Sequence, residues 1–427
     1  MASRLVDEAR STVRCACSAD SHIVEPLELF ASLERRYGER APRIVHDADW
    51  GDFLVAPGVT GREAFSARYA GIPVGRLGVA GANLDDPETQ RQIRHGYAGL
   101  RAGIVDPVER LRDQDVDGAR LEVLYPSLYF RVFGLPDTEV LLDAFRAYND
   151  WLASYMGRSP ERLIGLALIP LQEPIGAAVE LERALKLGFR GGCIPCTAPG
   201  GRPYHDSAYD RVWALAQEAR FPLSMHIFTG AHEGVSGMRD LNAITSYASA
   251  ATVIQITVSD LVCQGVAHRF PELKFVCAEW NTGWLAHWLE RLDHAFYRSR
   301  GAAAENLDLK PSEYWRRQFY ATFEDDRVGV LSRDIIGVNT LMWGNDYPHH
   351  DSIWPHSMEI LDDIFEGVPE ADRYAMTIGN LTDLYGLTPL PSPPPQGGRG
   401  QQRPASADAA VRLPGGSTAL PARAPTR

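Results

Sequence analysis

Short apolar runs recur along this chain with stretches of helical periodicity between them, and several runs stop abruptly at a polar side chain. Apolar segments of about four to eight residues bounded by polar or turn residues read as buried strands. The pattern predicts strands at Val13–Cys17, Ala119–Tyr125, Leu163–Ile169, Phe189–Ile194, Pro222–His226, Lys274–Ala278, Phe319–Phe323 and Thr340–Trp343. Apolar residues at helical spacing predict helices at Thr138–Met156, Glu173–Leu187, Ser207–Ala219 and Trp284–Tyr297, two helices within Leu241–Phe270, and closing helices in Asp326–Ile335, Pro355–Phe365 and Glu370–Tyr385. Eight strands alternating with helices predict an α/β fold closed as a TIM barrel.

Two segments break the alternation. Phe30 to Asp106 is rich in Gly, Asp and Arg with poor periodicity, too long for a plain connection between the first two strands, and reads as an inserted lid or dimer arm. From Pro389 the chain turns Pro-, Ala- and Gly-rich with almost no aromatics. Such a composition cannot bury enough apolar surface to fold. The expected organisation is therefore a barrel domain over 1–387 with an insertion at about 30–106, and a disordered tail over 388–427.

The chemistry gathers where strands end. Asp20-Ser21-His22 follows the first predicted strand, and the D-x-H spacing points both side chains to one side of an extended segment. Leu223-Ser224-Met225 ends in His226, and Leu341-Met342-Trp343-Gly344-Asn345 ends in Asp346. Residues at the C-terminal ends of barrel strands face one rim, so these positions bring together two imidazoles and one or two carboxylates. That donor set suits a divalent cation with a position open to water or substrate. It also matches the facial triad of non-haem iron, a reading the barrel positions favour less. His349 is a further acid–base candidate; Arg131 is a candidate for gripping a substrate carboxylate, and Trp280, Trp284 and Trp354 for a stacking wall.

The net charge of −12 and the lack of a basic, aromatic-interleaved run argue against nucleic acid. No segment approaches the ~18 apolar residues of a membrane span, and Met1 to Ser11 has no apolar signal-like run, so a cytoplasmic protein is expected. Cys193-Ile194-Pro195-Cys196 has C-x-x-C spacing without a second pair, which fits strand packing better than zinc or redox chemistry. His46 and His95 lack partners at ligand spacing and His232-Glu233 falls in a loop after the fifth predicted strand, so none is assigned to a metal. Phosphate-binding glycine loops and a G-x-S-x-G nucleophile motif do not occur, leaving a metal to supply the chemistry.

Four dispersed blocks carry a resemblance: Asp20 through Pro26, Met225-His226-Ile227, Arg269 through Trp284, and Gly344 through His349, with Ile378-Gly379-Asn380-Leu381 near the end. Over Cys15 to Leu387 the chain resembles the amidohydrolase-related family that includes aminocarboxymuconate semialdehyde decarboxylase. The resemblance implies a distorted TIM barrel, a homodimer, and one divalent metal, commonly zinc and sometimes manganese. It implies His22, His226 and Asp346 as metal ligands, and Asp20 as a further ligand or as a residue directly behind them. Family decarboxylases have a proton-transferring histidine after the sixth strand; here Glu279 stands in that place. That departure favours a metal-dependent hydrolase, in which metal-activated water attacks a small aromatic or unsaturated carboxylic acid derivative and Glu279 or Asp346 takes its proton. The alternatives are a non-oxidative decarboxylase of the same substrate class and a barrel that binds a metal or small acid without turnover.

Overall fold

The computed structural model describes residues 15–59, 71–229, 243–299 and 307–388. Its strands are β1 (Ala16–His22), β2 (Arg43–Asp47), β3 (Gly51–Val55), β4 (Ala119–Tyr125), β5 (Leu163–Gly165), β6 (Ala167–Leu168), β7 (Gly192–Ile194), β8 (Leu223–His226), β9 (Phe275–Ala278), β10 (Phe319–Phe323) and β11 (Leu341–Trp343). Except for β2 and β3 they form two parallel runs, β1-β4-β5 and β6-β7-β8-β9-β10-β11. The N–H of Leu166, between β5 and β6, donates to Leu124 O at 3.2 Å, and that of Ala167 to Gly191 O at 3.1 Å. Leu163–Leu168 thus serves as one barrel strand that changes partner. The ring closes beyond β11, where Asp346 N–H donates to Asp20 O at 2.9 Å and His22 N–H to Tyr347 O at 2.6 Å. The result is the expected TIM barrel: parallel strands in chain order with helices in the connections.

Register levels the strand exits. His226 pairs with Ala278 and Phe323 with Trp343, so the chain leaves β8 to β11 at one rim. Outside the strands, helix Thr138–Met156 has the expected bounds. Asp137 caps it by accepting from Val140 N–H at 3.3 Å, and Val140, Leu141, Ala144, Phe145, Tyr148 and Leu152 turn a buried stripe to the barrel. The stretch expected as two helices holds three among the described residues, Ala243–Ala248, Ala251–Cys263 and Val266–Arg269; left-handed Gly265 separates the last two.

The first strand differs from expectation. It runs Ala16–His22 rather than Val13–Cys17, so Asp20 and His22 lie inside it, not after it. Ser18, Asp20 and Ser21 interrupt the apolar signal, yet all are buried, because the two serine hydroxyls donate to Asn345 Oδ1 at 3.1 and 2.8 Å. The interval 30–106 is more ordered than its composition suggests. Helix Leu27–Tyr37 runs into it, β2 and β3 form an antiparallel hairpin, and helix Pro87–Arg94 is capped by Asp86. His46 is exposed there, 2.9 Å from Asp52 Oδ1. Cys193 and Cys196 are buried free thiols, and burial pushes the Cys196 thiol up to about 12, which suits packing rather than reactivity. No helix among the described residues is long and apolar enough to cross a membrane. The tail from 389 lies outside the described residues.

Candidate metal centre

Two-residue periodicity on β1 turns Asp20 and His22 to the barrel interior, and β8 delivers His226 from its last residue. Glu279 follows β9 and Asp346 follows β11, both with left-handed backbone, φ +61° and +52°. For non-glycine residues this conformation is strained, and here it folds each carboxylate back over the rim. Gly344 makes the approach feasible, since a Cβ there would stand 2.5 Å from the Cβ of Asp20.

These side chains converge. His22 Nε2 lies 3.0 Å from Asp346 Oδ1, 3.5 Å from Glu279 Oε2 and 3.6 Å from Asp20 Oδ1. His226 Nε2 lies 3.0 Å from Glu279 Oε2 and 3.3 Å from Asp20 Oδ1. His349 joins from the β11 loop, with Nδ1 3.0 Å from Asp346 Oδ1, Nε2 2.9 Å from Ser127 Oγ, and its ring stacked on His22 at 3.9 Å.

The arrangement fits a cation on three counts. His22 Nε2, Glu279 Oε2 and Asp346 Oδ1 are buried with no hydrogen-bond partner, although they face one another. Both imidazoles have a fixed tautomer: Nδ1–H of His22 donates to Pro126 O at 2.9 Å and that of His226 to Ile227 O at 2.8 Å, leaving each Nε2 lone pair aimed inward. The electrostatics also call for positive charge. Burial opposes protonation of His226, yet the Glu279 and Asp20 carboxylates outweigh it and hold its pKa at about 9. Burial likewise opposes protonation of His22, and Asp346 and Glu279 raise it well above the ordinary range. Asp346 moves the other way: burial would raise it, but His349 and His22 hold it below the usual carboxylate range.

A second layer fixes the donors. Thr322 Oγ1 donates to Asp20 Oδ2 at 2.8 Å and accepts from Glu279 N–H at 2.8 Å, linking two of the carboxylates. Asp326 Oδ2 accepts from Thr282 N–H and Gly283 N–H at 2.7 and 2.6 Å, pinning the loop that carries Glu279.

The structure brings together Asp20, His22, His226, Asp346 and His349, as the strand-end pattern suggested. Glu279, expected as an acid–base carboxylate beside the metal, lies close enough to Asp20, His22 and His226 that it could also serve as a donor. Trp280 and Trp284 line a cavity, whereas Trp354 packs against Arg101 and Tyr347 and lines neither cavity described below. The Arg131 guanidinium stands 5.3 Å over the Phe228 ring. His350 is exposed, and His232-Glu233 lie outside the described residues. Sequence reasoning missed Thr322, Tyr247 and Glu324, though Glu324 follows an apolar run as His226 does.

Beside the cluster lies a small space lined by Asp20, Glu279, Asp346, Thr322, Glu324 and Tyr247, among others. Burial, together with the charges of Asp346 and Asp351, raises Glu324 well above the usual carboxylate range. A second, larger cavity of about 370 Å³ shares Tyr247, Glu279 and Asn281 with its lining.

An amidohydrolase family model matches residues 123–387. The gamma-resorcylate decarboxylase of Polaromonas sp. strain JS666 is 26% identical over 315 residues, spanning 67% of this chain and 90% of that protein. The crystal structure of an amidohydrolase from Mycobacterium avium subsp. paratuberculosis K-10 is similar in fold, with a TM-score of 0.72 at 20% identity over 88% of this chain and 98% of that one. A 5-carboxyvanillate decarboxylase from Novosphingobium aromaticivorans, complexed with manganese and 4-hydroxy-3-methoxy-5-nitrobenzoic acid, gives a TM-score of 0.63 at 17% identity over 87% of this chain and 96% of that one.

Proposed function

The chain belongs to the amidohydrolase family, whose model spans more than half of it, and from that premise we propose that it is a metal-dependent decarboxylase of a hydroxylated aromatic carboxylic acid. The observation that carries the reading is the convergence of buried, partnerless His22 Nε2, Glu279 Oε2 and Asp346 Oδ1 at the barrel's C-terminal rim. The hydrolytic expectation gives way to its decarboxylating alternative, which the similarity to gamma-resorcylate decarboxylase supports better. Family membership sets aside the barrel without turnover.

Asp20, His22, His226, Glu279 and Asp346 would hold one divalent ion, zinc or manganese. When bound, the ion would supply positive charge that attracts and orients an anionic substrate. The chain's own residues then manage the proton. Asp346 lines the small space as an ionised carboxylate and His349 Nδ1 lies 3.0 Å from its Oδ1, so His349 can supply the proton beside it. The proton goes to the ring carbon bearing the carboxylate, forming a C–H bond from a ring electron pair. The carbon–carboxylate bond then breaks, its pair returns to the ring, and CO₂ leaves; one proton is consumed per CO₂ released. Ser127 Oγ, at 2.9 Å, holds the far side of His349 in register. A homodimer accompanies this reading on the family resemblance, and light scattering of the purified protein tests the assembly.

The test is CO₂ release from ortho-hydroxybenzoic acids by protein loaded with manganese or zinc, repeated after chelation. One CO₂ per acid consumed, lost on chelation, supports the proposal. Ester or amide hydrolysis without CO₂ would restore the hydrolase.

A further inference from the structure

We propose that Glu279 sets the cation preference of the centre: by making the donor set three carboxylates to two imidazoles, it shifts selectivity from zinc towards manganese. This deepens the metal-centre reading and rests on it, though not on the reaction. Glu279 Oε2 lies 3.0 Å from His226 Nε2 and 3.5 Å from His22 Nε2, yet it is buried without a hydrogen-bond partner. Both nitrogens present lone pairs, because each Nδ1–H already donates to a backbone carbonyl, Pro126 O for His22 and Ile227 O for His226. Acceptors that face acceptors at such distances are reconciled by a cation between them. Asp20 Oδ1 and Asp346 Oδ1 complete the group, 3.6 and 3.0 Å from His22 Nε2. No described residue lining the small space beside them is Lys or Arg, so the three carboxylates meet no ammonium or guanidinium there.

The Glu279 carboxylate is placed by its own loop. Its N–H donates to Thr322 Oγ1 at 2.8 Å, and the next side chain, Trp280, is buried with Nε1–H on Met225 O at 3.0 Å. Further along, Thr282 N–H and Gly283 N–H both donate to Asp326 Oδ2. Gly329 makes room for that carboxylate, since a Cβ there would stand 2.7 Å from Asp326 Oδ2. A donor held in this way imposes its charge on any ion that enters. Donor type then discriminates. Catalytic zinc typically takes three protein ligands and water, and imidazole suits it well, whereas carboxylate oxygens in larger donor sets suit manganese. Magnesium and calcium favour oxygen alone, so His22 and His226 count against them. Zinc generally binds more tightly than manganese, and a third carboxylate narrows that gap.

The experiment measures manganese and zinc affinities by competition with a chromophoric chelator, on the full-length chain stripped of metal, for wild type, Glu279→His and Glu279→Gln. Histidine tolerates left-handed backbone better than most side chains, which suits the φ of +61° at this position, and glutamine keeps the shape of the original. The ratio of zinc to manganese affinity should rise at least about ten-fold in Glu279→His. It should rise by less in Glu279→Gln, whose manganese affinity should fall about ten-fold. The electron paramagnetic resonance spectrum of the manganese-loaded protein should differ between wild type and Glu279→Gln. An affinity ratio unchanged in both variants, or a manganese spectrum that Glu279→Gln leaves as in wild type, would overturn the inference while the metal centre stands. A wild type that binds neither ion would overturn the centre and the inference together. The expected ratios without CO₂ release would support the inference and refute the reaction alone.

Discussion

The two halves of the barrel rim are built by opposite rules. On the β1 and β11 side, Asp20, His22 and Asp346 are embedded in polar contacts that leave no slack. Arg110 is fully buried: its Nε donates to Glu122 Oε2 at 2.6 Å, its Nη1 to His22 O at 2.8 Å and its Nη2 to Tyr347 O at 3.4 Å. One guanidinium therefore ties together the backbones flanking two metal-facing side chains. Asn345 completes the lock, receiving Ser18 and Ser21 and donating to Asp117 Oδ2 at 3.0 Å. On the β9 and β10 side, Glu279 has a 20% exposed side chain against 6% for Asp346, and both cavities open beside it. The closed half fixes its donors in place, and the open half borders the cavities. Rigidity is placed where the chemistry cannot vary.

The largest expected effect probes that contrast directly. His22→Ala in the closed half should remove most bound metal and lower CO₂ release by about 1,000-fold or more, whereas Glu279→Gln in the open half should lower metal affinity by about ten-fold and keep measurable turnover. Metal analysis and CO₂ assays on the two variants check this, and equal losses would erase the division. Next comes Arg110→Ala, which strands the buried Glu122 carboxylate and should cost about 3–5 kcal/mol in denaturant unfolding. A loss under about 1 kcal/mol would show that the closed half does not depend on the guanidinium. The smallest concerns Glu25, also on the closed side. Burial raises its pKa from 4.5 to about 7, despite N–H donors from Leu128, Tyr129 and Ser127. Between those values the unfolded chain has released the proton and the folded one still holds it, so folding stability falls as pH rises from 4.5 to about 7. Glu25→Gln should flatten that slope in denaturation curves taken across this window; an unchanged slope would assign it elsewhere.

Most of the barrel was legible because its strands are short apolar runs with a polar exit, a pattern that identifies both the element and its catalytic end. His226 and Asp346 were found this way. β1 was misplaced because its buried serines depend on Asn345, more than 300 positions along the chain, and no local pattern reports so distant a partner. Glu279 was singled out, but its orientation was hidden: the left-handed turn that sends its carboxylate toward His22 and His226 is a backbone event that a glutamate does not advertise. Arg110 and Thr322 were overlooked for a similar reason, being ordinary helix and strand residues until the fold supplies their partners.

The left-handed backbone at Glu279 and Asp346 also bears on how this protein would respond to engineering. Strain of about 1–3 kcal/mol at each such position is relieved when glycine replaces the side chain. Selection for heat tolerance alone would therefore reward loss of the two carboxylates that face the metal position. A laboratory lineage chosen for melting temperature would drift toward robust, inert barrels, and only a screen that reads turnover would hold the enzyme in its less comfortable, working form.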